Sequence, residues 1–253
     1  QGRYESVESL YIEALKISQE ILGEKHSSIA TNLSNLALLY IDQGRYEAAE
    51  SLCIEALEMT RELVGKKHLS VAISLNNLAG LYDHQGRYEA AEPLYIEALE
   101  IRKELFGVNH PDVATSLNSL AGFYDKQGRY EVAELLYIEA LEIRKELLEE
   151  KHPDVVTSLS NLAELYADQG RYETAEPLCI EALEMRKELL GTKHPDVARS
   201  LNNLAGLYVE QGRYEVAEPL YIESLEVSRE VLGEKHPDVA LILWNFGILR
   251  CKQ

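Results

Sequence analysis

The chain has 253 residues, and its 46% hydrophobic and 27% charged content is that of a folded globular protein, not of a disordered chain. No apolar run approaches the roughly 18 residues that cross a bilayer, and the formal net charge of −18 would repel nucleic-acid phosphates and anionic lipids. We therefore expect no nucleic-acid or membrane partner, and the odd count of three cysteines, which forms no disulfide framework, favours a reducing, cytoplasmic location.

A short motif recurs along the whole chain at constant spacing. Gln-Gly-Arg-Tyr begins at Gln1, Gln43, Gln85, Gln127, Gln169 and Gln211. The spacing is 42 residues each time, and six periods fill 252 of the 253 residues. A fixed period of this size is typical of a solenoid, in which each unit buries its apolar face against its neighbours.

Each period contains two helical patterns, which we name the first-type and the second-type helix. In the period around residue 110, Pro111 and Asp112 favour the start of a first-type helix, which Gly128 stops. A second-type helix then runs from about Tyr130 to Leu148, with apolar residues at helical spacing.

In chain order, residues 1–25 form an unpaired second-type helix, residues 26–235 form five helix pairs, and residues 236–253 form an unpaired first-type helix. The sequence thus predicts an all-α fold of about twelve helices and no strands, organised as a single solenoid domain over 1–253. Because both ends interrupt a helix pair, we expect the chain to be a fragment of a longer one.

The second-type helices carry one charged face and a recurrent stop signal. In the helix that starts at Tyr130, we expect Glu142, Arg144, Lys145 and Glu146 to lie on the solvent-exposed face. The stop signals are Gly23, Gly65, Gly107, Gly191 and Gly233. Glu149 stands where the sixth glycine would be, so this helix is predicted to end differently or to run on.

These motifs resemble the tetratricopeptide repeat. The pattern is Leu117-x-x-Leu120-Ala121-x-x-Tyr124, followed by Gly128, Tyr130, Ala133, Tyr137 and Ala140. The 42-residue unit is most similar to the kinesin-light-chain-like subclass, through the strings at His194–Ala198, Leu201–Ala205 and Ala98–Arg102. The resemblance implies an α-solenoid, a right-handed superhelix of antiparallel helix pairs whose first helices line a concave groove that binds peptides.

Asparagine recurs in the middle of the first-type helices, although it is a poor helix former. One register reads Asn35, Asn77, Ser119, Asn161, Asn203 and Asn245. The register just before it reads Ser34, Asn76, Asn118, Ser160, Asn202 and Trp244. An amide offers a donor and an acceptor, which matches the N–H and C=O groups of an extended peptide.

The resemblance assigns these amides to a ligand, because in similar repeats the asparagine at the position of Asn35 holds a ligand backbone. The predicted peptide-binding residues are Asn35, Asn76, Asn77, Asn118, Asn161, Arg199, Asn202, Asn203 and Asn245. The alternative is that the amides bond between neighbouring helices and stabilise the solenoid, and both roles can hold at once.

Other residues of the predicted groove indicate which kind of peptide would bind. Gly80, Gly122 and Gly206 would let a ligand backbone approach closely. Arg199 is nearly alone as a basic groove residue, which disfavours the acidic peptides known for kinesin light chains. An acidic chain favours neutral or basic peptides instead.

The sequence contains no pattern of a catalytic, cofactor or metal site. Six histidines precede the first-type helices at 42-residue spacing, too far apart to share a metal ion. Cys53 and Cys179 replace tyrosines of the second-type helix, so we expect them to be buried, with Cys251 exposed. No phosphate-binding loop, nucleophile elbow or zinc motif is found, so an enzyme is not predicted.

The leading interpretation is a non-catalytic scaffold that binds a partner protein or peptide in its groove. The alternatives are a recruitment or regulatory arm of a larger enzyme or signalling ATPase, and an engineered or structural repeat spacer. The last predicted helix, from Ala240 to Arg250, is apolar nearly all round. We therefore expect it to cover a partner surface or to stack end to end on another copy.

Overall fold

A computed structural model describes residues 2–149 and 151–253. Its helices are α1 (Gly2–Leu22), α2 (Ser27–Asp42), α3 (Tyr46–Val64), α4 (Leu69–His84), α5 (Tyr88–Phe106), α6 (Pro111–Lys126), α7 (Tyr130–Leu147), α8 (Pro153–Asp168), α9 (Tyr172–Leu190), α10 (Pro195–Glu210), α11 (Tyr214–Leu232) and α12 (Pro237–Lys252). These twelve helices and the absence of strands, within the described residues, confirm the all-α prediction. The even-numbered helices are of the first type and the odd-numbered ones of the second type.

The chain divides into two compact units, Gln1–Phe123 and Tyr124–Gln253. In the first unit, α2 pairs with α3 and α4 pairs with α5, while α1 packs on α2 and α3 packs on α4. The apolar stripes meet in a continuous core, in which Leu75, Leu81 and Val71 are fully buried. This stacking of helix pairs is the predicted α-solenoid arrangement.

The second unit repeats the arrangement with its own helices. Here α8 pairs with α9 and α10 pairs with α11, while α7 packs on α8, α9 on α10 and α11 on α12. Its core contains the fully buried Leu159, Leu165 and Leu201. The α-solenoid fold class is therefore confirmed within each unit, and the single solenoid domain over 1–253, like the handedness of its superhelix, stays a prediction.

The histidines before the first-type helices cap them. In α10, the backbone N–H of Asp196 donates to His194 Nδ1 at 3.1 Å, and His194 itself has extended backbone angles. The same bond joins Ser28 to His26 in α2 at 3.2 Å. Because such a side-chain acceptor satisfies a helix N–H that has no partner in the helix, each histidine contributes to fixing where its helix begins.

Within each unit, the arginine of the Gln-Gly-Arg-Tyr motif joins a helix pair to the preceding second-type helix. The Arg45 guanidinium lies 3.8 Å from the centre of the Tyr40 ring, and its Nη1 is 2.9 Å from Glu8 Oε1. The Tyr40 hydroxyl donates to the same carboxylate at 2.9 Å. These two bonds lower the pKa of Glu8. The arginine of the motif thus fixes a turn to a helix through a residue 37 positions earlier.

The end of α7 confirms the prediction made from Glu149. The second-type helices α3, α5, α9 and α11 end on glycines with φ between +79° and +87° and ψ between 158° and 176°. This region is open only to glycine. In α7 the chain leaves the helix one residue earlier, at Leu148, with φ −109° and ψ 164°. The helix that lacks the terminal glycine therefore ends in extended backbone.

The predicted exposed position of Arg144 is wrong. Its side chain is only 4% exposed, and it donates to the Ser158 hydroxyl at 2.6 Å and to the Asp154 carbonyl at 3.1 Å. Arg102, 42 residues earlier, is buried in the same way against Ser116. Burial lowers the pKa of both guanidinium groups. The helical charge pattern grouped Arg144 with its charged neighbours, whereas its guanidinium bonds to residues of the next first-type helix, α8.

Candidate peptide-binding face

The two asparagine registers have different roles, and we name them by position. The inner register holds residues 34, 76, 118, 160, 202 and 244, and the outer register holds the residue after each. Asn76 Nδ2 donates to Ser119 Oγ at 3.4 Å, and Asn245 Nδ2 donates to Asn202 Oδ1 at 3.1 Å. Each bond joins an inner residue to the outer residue of the next first-type helix.

Serine at the inner register leaves the next outer amide open. The Ser34 hydroxyl donates to the carbonyl of Ala30 at 2.9 Å, and the Ser160 hydroxyl donates to that of Val156 at 2.8 Å. Because these hydroxyls bond within their own helices, they do not engage Asn77 and Asn203, which stand 43 residues after them. In the sequence, these neighbours are found only by comparing residues 43 positions apart, because either register read alone does not show them.

In the first unit the open amides lie beside a cavity of about 340 Å³. Asn35 from α2 and Asn77 from α4 line it, and within the described part of the chain neither side chain has a hydrogen bond. Thr31, Leu38 and Ile73 add to the wall. The cavity thus offers two amides next to an apolar and uncharged surface.

In the second unit a cavity of about 400 Å³ lies against α8, α10 and α12. Asn202, Asn203 and Asn245 line it together with the guanidinium of Arg186. Arg186 donates to the hydroxyls of Ser160 and Ser200, and burial lowers its pKa. These groups give the cavity a set of donors and acceptors beside its apolar walls.

Carboxylates make this second cavity acidic at one side. Glu164, Asp168 and Glu210 line it, and Glu210 is paired with Lys252 at 3.0 Å between Nζ and Oε1. Burial, followed by the charge of Asp168, raises the pKa of Glu164. Burial, then the charges of Asp168 and Glu164, raises the pKa of Asp125 to about 6. The local field in this unit therefore favours a positive charge.

Two glycines of the first-type helices lie opposite tyrosines of the paired second-type helix. A Cβ atom at Gly80 would lie 3.6 Å from the Tyr95 hydroxyl, and one at Gly206 would lie 3.7 Å from that of Tyr221. Where the tyrosine register holds cysteine, the groove residue is large: Leu38 goes with Cys53 and Glu164 with Cys179. Gly80 and Gly206 thus face a tyrosine of the paired helix, a relation that the sequence patterns did not predict. The expected close approach of a ligand backbone at the glycines stays a prediction.

The remaining predicted site residues lie elsewhere on the first-type helices. Asn161 is half-buried in α8 and lies outside the second cavity. Arg199 is exposed outside that cavity, and its Nη2 is 2.5 Å from Asp196 Oδ1. Asn118 is half-buried in α6, and its Oδ1 has no hydrogen bond within the described chain. The structure thus brings together Asn35 and Asn77 in the first unit, and Asn202, Asn203 and Asn245 in the second.

The histidine, cysteine and acidic side chains form no metal-binding group in the described part of the chain. Among residues 2–149 and 151–253, no group of three His, Cys, Asp or Glu side chains is placed to hold a metal ion. Cys53 is buried and Cys251 is exposed, as expected, whereas Cys179 is half-buried and not fully buried as predicted. Burial raises the pKa of both Cys53 and Cys179 to about 11. These two thiols are therefore protonated near neutral pH.

Comparisons with known proteins bear on the whole chain. The family model described as Tetratricopeptide repeat matches residues 1–52, 28–104, 74–146, 154–221 and 201–253. A search of curated proteins found no match. No helix among the described residues has the length and apolar character that a bilayer span requires.

Solved structures share the fold. The crystal structure of BtubC (BKLC) from P. vanneervenii is 29% identical over 93% of each chain, with a TM-score of 0.74. A Podosopora anserina putative kinesin light chain with nearly identical TPR-like repeats is 22% identical, covering 84% of this chain and 100% of that one, with a TM-score of 0.68. A Rap protein complexed with Competence and Sporulation Factor is 15% identical, covering 93% of this chain and 72% of that one, with a TM-score of 0.63.

Proposed function

The chain belongs to the tetratricopeptide repeat family, and on that premise we propose that it is a non-catalytic scaffold whose first-type helices hold an extended segment of a partner protein. The fold is typical of protein-interaction scaffolds. The Rap protein of similar fold is complexed with Competence and Sporulation Factor, and we extend that kind of use, the binding of a partner, to this chain. The three thiols without a disulfide framework fit a cytoplasmic location.

The open outer amides carry this proposal. Asn35 and Asn77 stand at the same position of successive first-type helices and share one cavity wall. Their amides are free of internal hydrogen bonds in the described chain. Asn35 is exposed and Asn77 is half-buried, so both amides remain accessible to a ligand that supplies N–H and C=O groups. We assign this role also to Asn203 in the second unit, where its Oδ1 accepts only a long bond of 3.4 Å from Asn202 Nδ2.

Hydrogen bonds alone do not account for a tight complex. A net hydrogen bond contributes roughly 0.5–1.5 kcal/mol, whereas a micromolar complex needs about 8 kcal/mol. The apolar walls beside the amides, Leu38 and Ile73 in the first unit, have to supply much of the difference by burying ligand side chains. Hydrogen bonds to the ligand main chain thus set the register in which the ligand binds, and the ligand side chains set specificity.

We propose that the segment bound by the second unit carries a basic side chain. Glu164 and Asp168 have no ion-pair partner among the described residues, and Asp125 adds a third carboxylate to the same field. A lysine or arginine placed there relieves the repulsion between these acids. An acidic segment is disfavoured for the same reason.

A displayed library of random twelve-residue peptides tests the proposal. We expect selected peptides to bind the chain and to lose at least about tenfold in affinity to Asn77→Ala or Asn203→Ala, measured by calorimetry. Peptides that bind the second unit should contain lysine or arginine, and exchanging that residue for glutamate should abolish binding. Methylation of single backbone N–H groups should also weaken binding.

The matched control is Asn161→Ala, which changes the same register outside the second cavity. Peptides that bind equally well to all three variants would contradict the proposal. Failure of the library to yield any binder would instead support the structural-spacer alternative.

A further inference from the structure

Arg186 of α9 is a cation without a counter-charge. Its guanidinium lines the second cavity and donates to the hydroxyls of Ser160 and Ser200, which are uncharged. Within residues 2–149 and 151–253 it forms no ion pair, because Asp196, whose charge acts on it, is paired with Arg199 at 2.5 Å between Oδ1 and Nη2. Taking a charge out of water is costly without a partner of opposite sign, so this guanidinium suits an anionic ligand group.

The arginines at the same position of α5 and α7 are sealed from solvent. Arg102 and Arg144 are 5% and 4% exposed, whereas Arg186 is half-buried. Seven residues before each sealed arginine, two helical turns earlier on the same face, stands a buried tyrosine. At that position α9 holds Cys179, which lines the cavity. The smaller side chain thus accompanies an arginine that a ligand can reach.

Carboxylates line the same cavity at a defined distance from this cation. Ser160, Glu164 and Asp168 follow one another at four-residue spacing in α8, so they share one helix face and all line the cavity. At about 1.5 Å per residue, Glu164 lies roughly 6 Å and Asp168 roughly 12 Å along the axis from Ser160. Because Arg186 Nη2 donates to Ser160 at 2.9 Å, the cavity has a positive end and, one or two helical turns away, a negative end.

We propose that the second cavity binds a carboxylate and a cation carried at opposite ends of a short chain. The carboxylate lies against Arg186 and the cation against Glu164 and Asp168, which rests on the role that the proposed function gives to these two acids. An ω-amino acid with a six-carbon chain separates its two charged groups by roughly 7 Å when extended, which is of the order of the spacing in the cavity. A lysine at the carboxyl terminus of a partner segment carries the same two groups.

Neutral groups complete the site between its two charged ends. Ser200 and Asn202 line the cavity beside Arg186 and are only 6% and 7% exposed. Asn202 Nδ2 makes a long bond of 3.4 Å, so this amide can donate to a carboxylate instead. The buried Ala163 and Leu207 add apolar wall, against which the methylene groups of the ligand can pack.

Titration of the full chain with small probes, followed by nuclear magnetic resonance, tests this site. We expect 6-aminohexanoate and Nα-acetyl-lysine to bind with dissociation constants in the millimolar range. Nα-acetyl-lysinamide and hexanoate, which each lack one of the two charges, should bind at least about tenfold more weakly. Arg186→Gln should weaken both bipolar probes at least about tenfold, as should Glu164→Gln combined with Asp168→Asn. Bipolar probes that do not bind, or that bind no better than probes with one charge, would overturn the proposal.

The matched control is Arg102→Gln, in the same register of α5. Arg102 bonds to Ser116 as Arg186 bonds to Ser200, but it is buried and lies outside the second cavity. Urea denaturation measures the stability that each variant loses, and the control should leave probe binding unchanged. Equal losses of binding in both variants would show that Arg186 acts only through stability. Glu164 and Asp168 are exposed, so their double variant keeps the test decisive even where Arg186→Gln fails to fold.

Longer peptides distinguish the two sources of this chemistry. A twelve-residue peptide that ends in lysine with a free carboxylate should bind at least about tenfold more tightly than Nα-acetyl-lysine when the ligand is a chain end. Equal affinity would identify a free small molecule. Probe binding that depends on Arg186 would support this site even where no peptide is selected from a library. Peptides that bind through Asn203, alongside bipolar probes that do not bind, would overturn this site and leave the proposed function standing.

Discussion

At the scale of the residue, the asparagines divide by their hydrogen bonds. Asn202 is buried and accepts the Asn245 amide at 3.1 Å, whereas Asn203 next to it is exposed at the cavity. Two neighbouring asparagines, a residue type that helices disfavour, thus lie in different surroundings, one buried and bonded to the next helix and one exposed. The packing role considered from the sequence therefore falls on Asn202, and the peptide-binding role is proposed for its neighbour Asn203.

This division predicts different stabilities for adjacent alanine variants. Asn202→Ala removes the acceptor of a partly buried amide and should lower the free energy of unfolding by about 1–2 kcal/mol. Asn203→Ala should change it by less than about 0.5 kcal/mol. Urea denaturation of the two variants measures the difference, and equal losses would contradict the division.

The buried arginines make a second prediction. Arg102 Nη1 donates to Ser116 Oγ, and its Nε has no hydrogen bond within the described chain. Ser116→Ala would leave the guanidinium still less satisfied, at a cost of about 1–3 kcal/mol. The control is Ser74→Ala, because Ser74 occupies the same register and Thr60 stands where the arginine would be. If urea denaturation gave the control an equal loss, the hydrogen bond would not be the cause.

At the scale of the element, periodicity located the helices well. Pro111 was expected to start a first-type helix and does so, and Glu149 was expected to alter the end of α7 and does so. Both signals are local, because they act through backbone angles and caps. The burial of Arg144 depends on Ser158, which lies on another helix, so a helical charge pattern did not reveal it.

Contacts between helices, which a pattern within one helix does not reveal, also account for what was missed at the candidate site. The asparagine registers were visible in the sequence, because 42-residue spacing aligns them. Ser119 and Asn245 bond to the asparagine 43 positions before them, and such a contact appears only when neighbouring helices are seen together. The link between Gly206 and Tyr221 is likewise a contact between helices.

Acidic groups of neighbouring helices make stability depend on pH. The folded pKa of Asp125, about 6, lies above its ordinary value of 3.8. The folded protein therefore binds this proton more tightly than the unfolded chain does, and stability falls as pH rises from about 4 to 6. Asp125→Asn should raise the free energy of unfolding at pH 7.5 by on the order of 1 kcal/mol, after allowance for solvent screening.

Thermal melting from pH 4 to 7.5 measures this effect. The asparagine variant should show a flatter pH dependence than the original chain. Asp168→Asn, which removes a charge that raises the pKa of Asp125, should move the transition to lower pH. A variant that leaves the pH profile unchanged would show that Asp125 does not cause it.

At the scale of the whole molecule, each unit combines stacked helix pairs with an open face on its first-type helices. The buried positions barely differ from repeat to repeat, whereas the groove positions range from Gly206 to Glu164. The first unit offers an uncharged cavity and the second an acidic one. One chain thus presents two chemically different faces.

The central claim is that the open amides of Asn77 and Asn203 hold the main chain of a partner segment. Nuclear magnetic resonance of the asparagine side-chain NH₂ groups, recorded during titration with a selected peptide, tests it most directly. We expect the signals of Asn77 or Asn203 to shift with the fraction bound, while that of Asn76, bonded to Ser119, stays in place. A peptide that binds and shifts neither open amide would contradict the account.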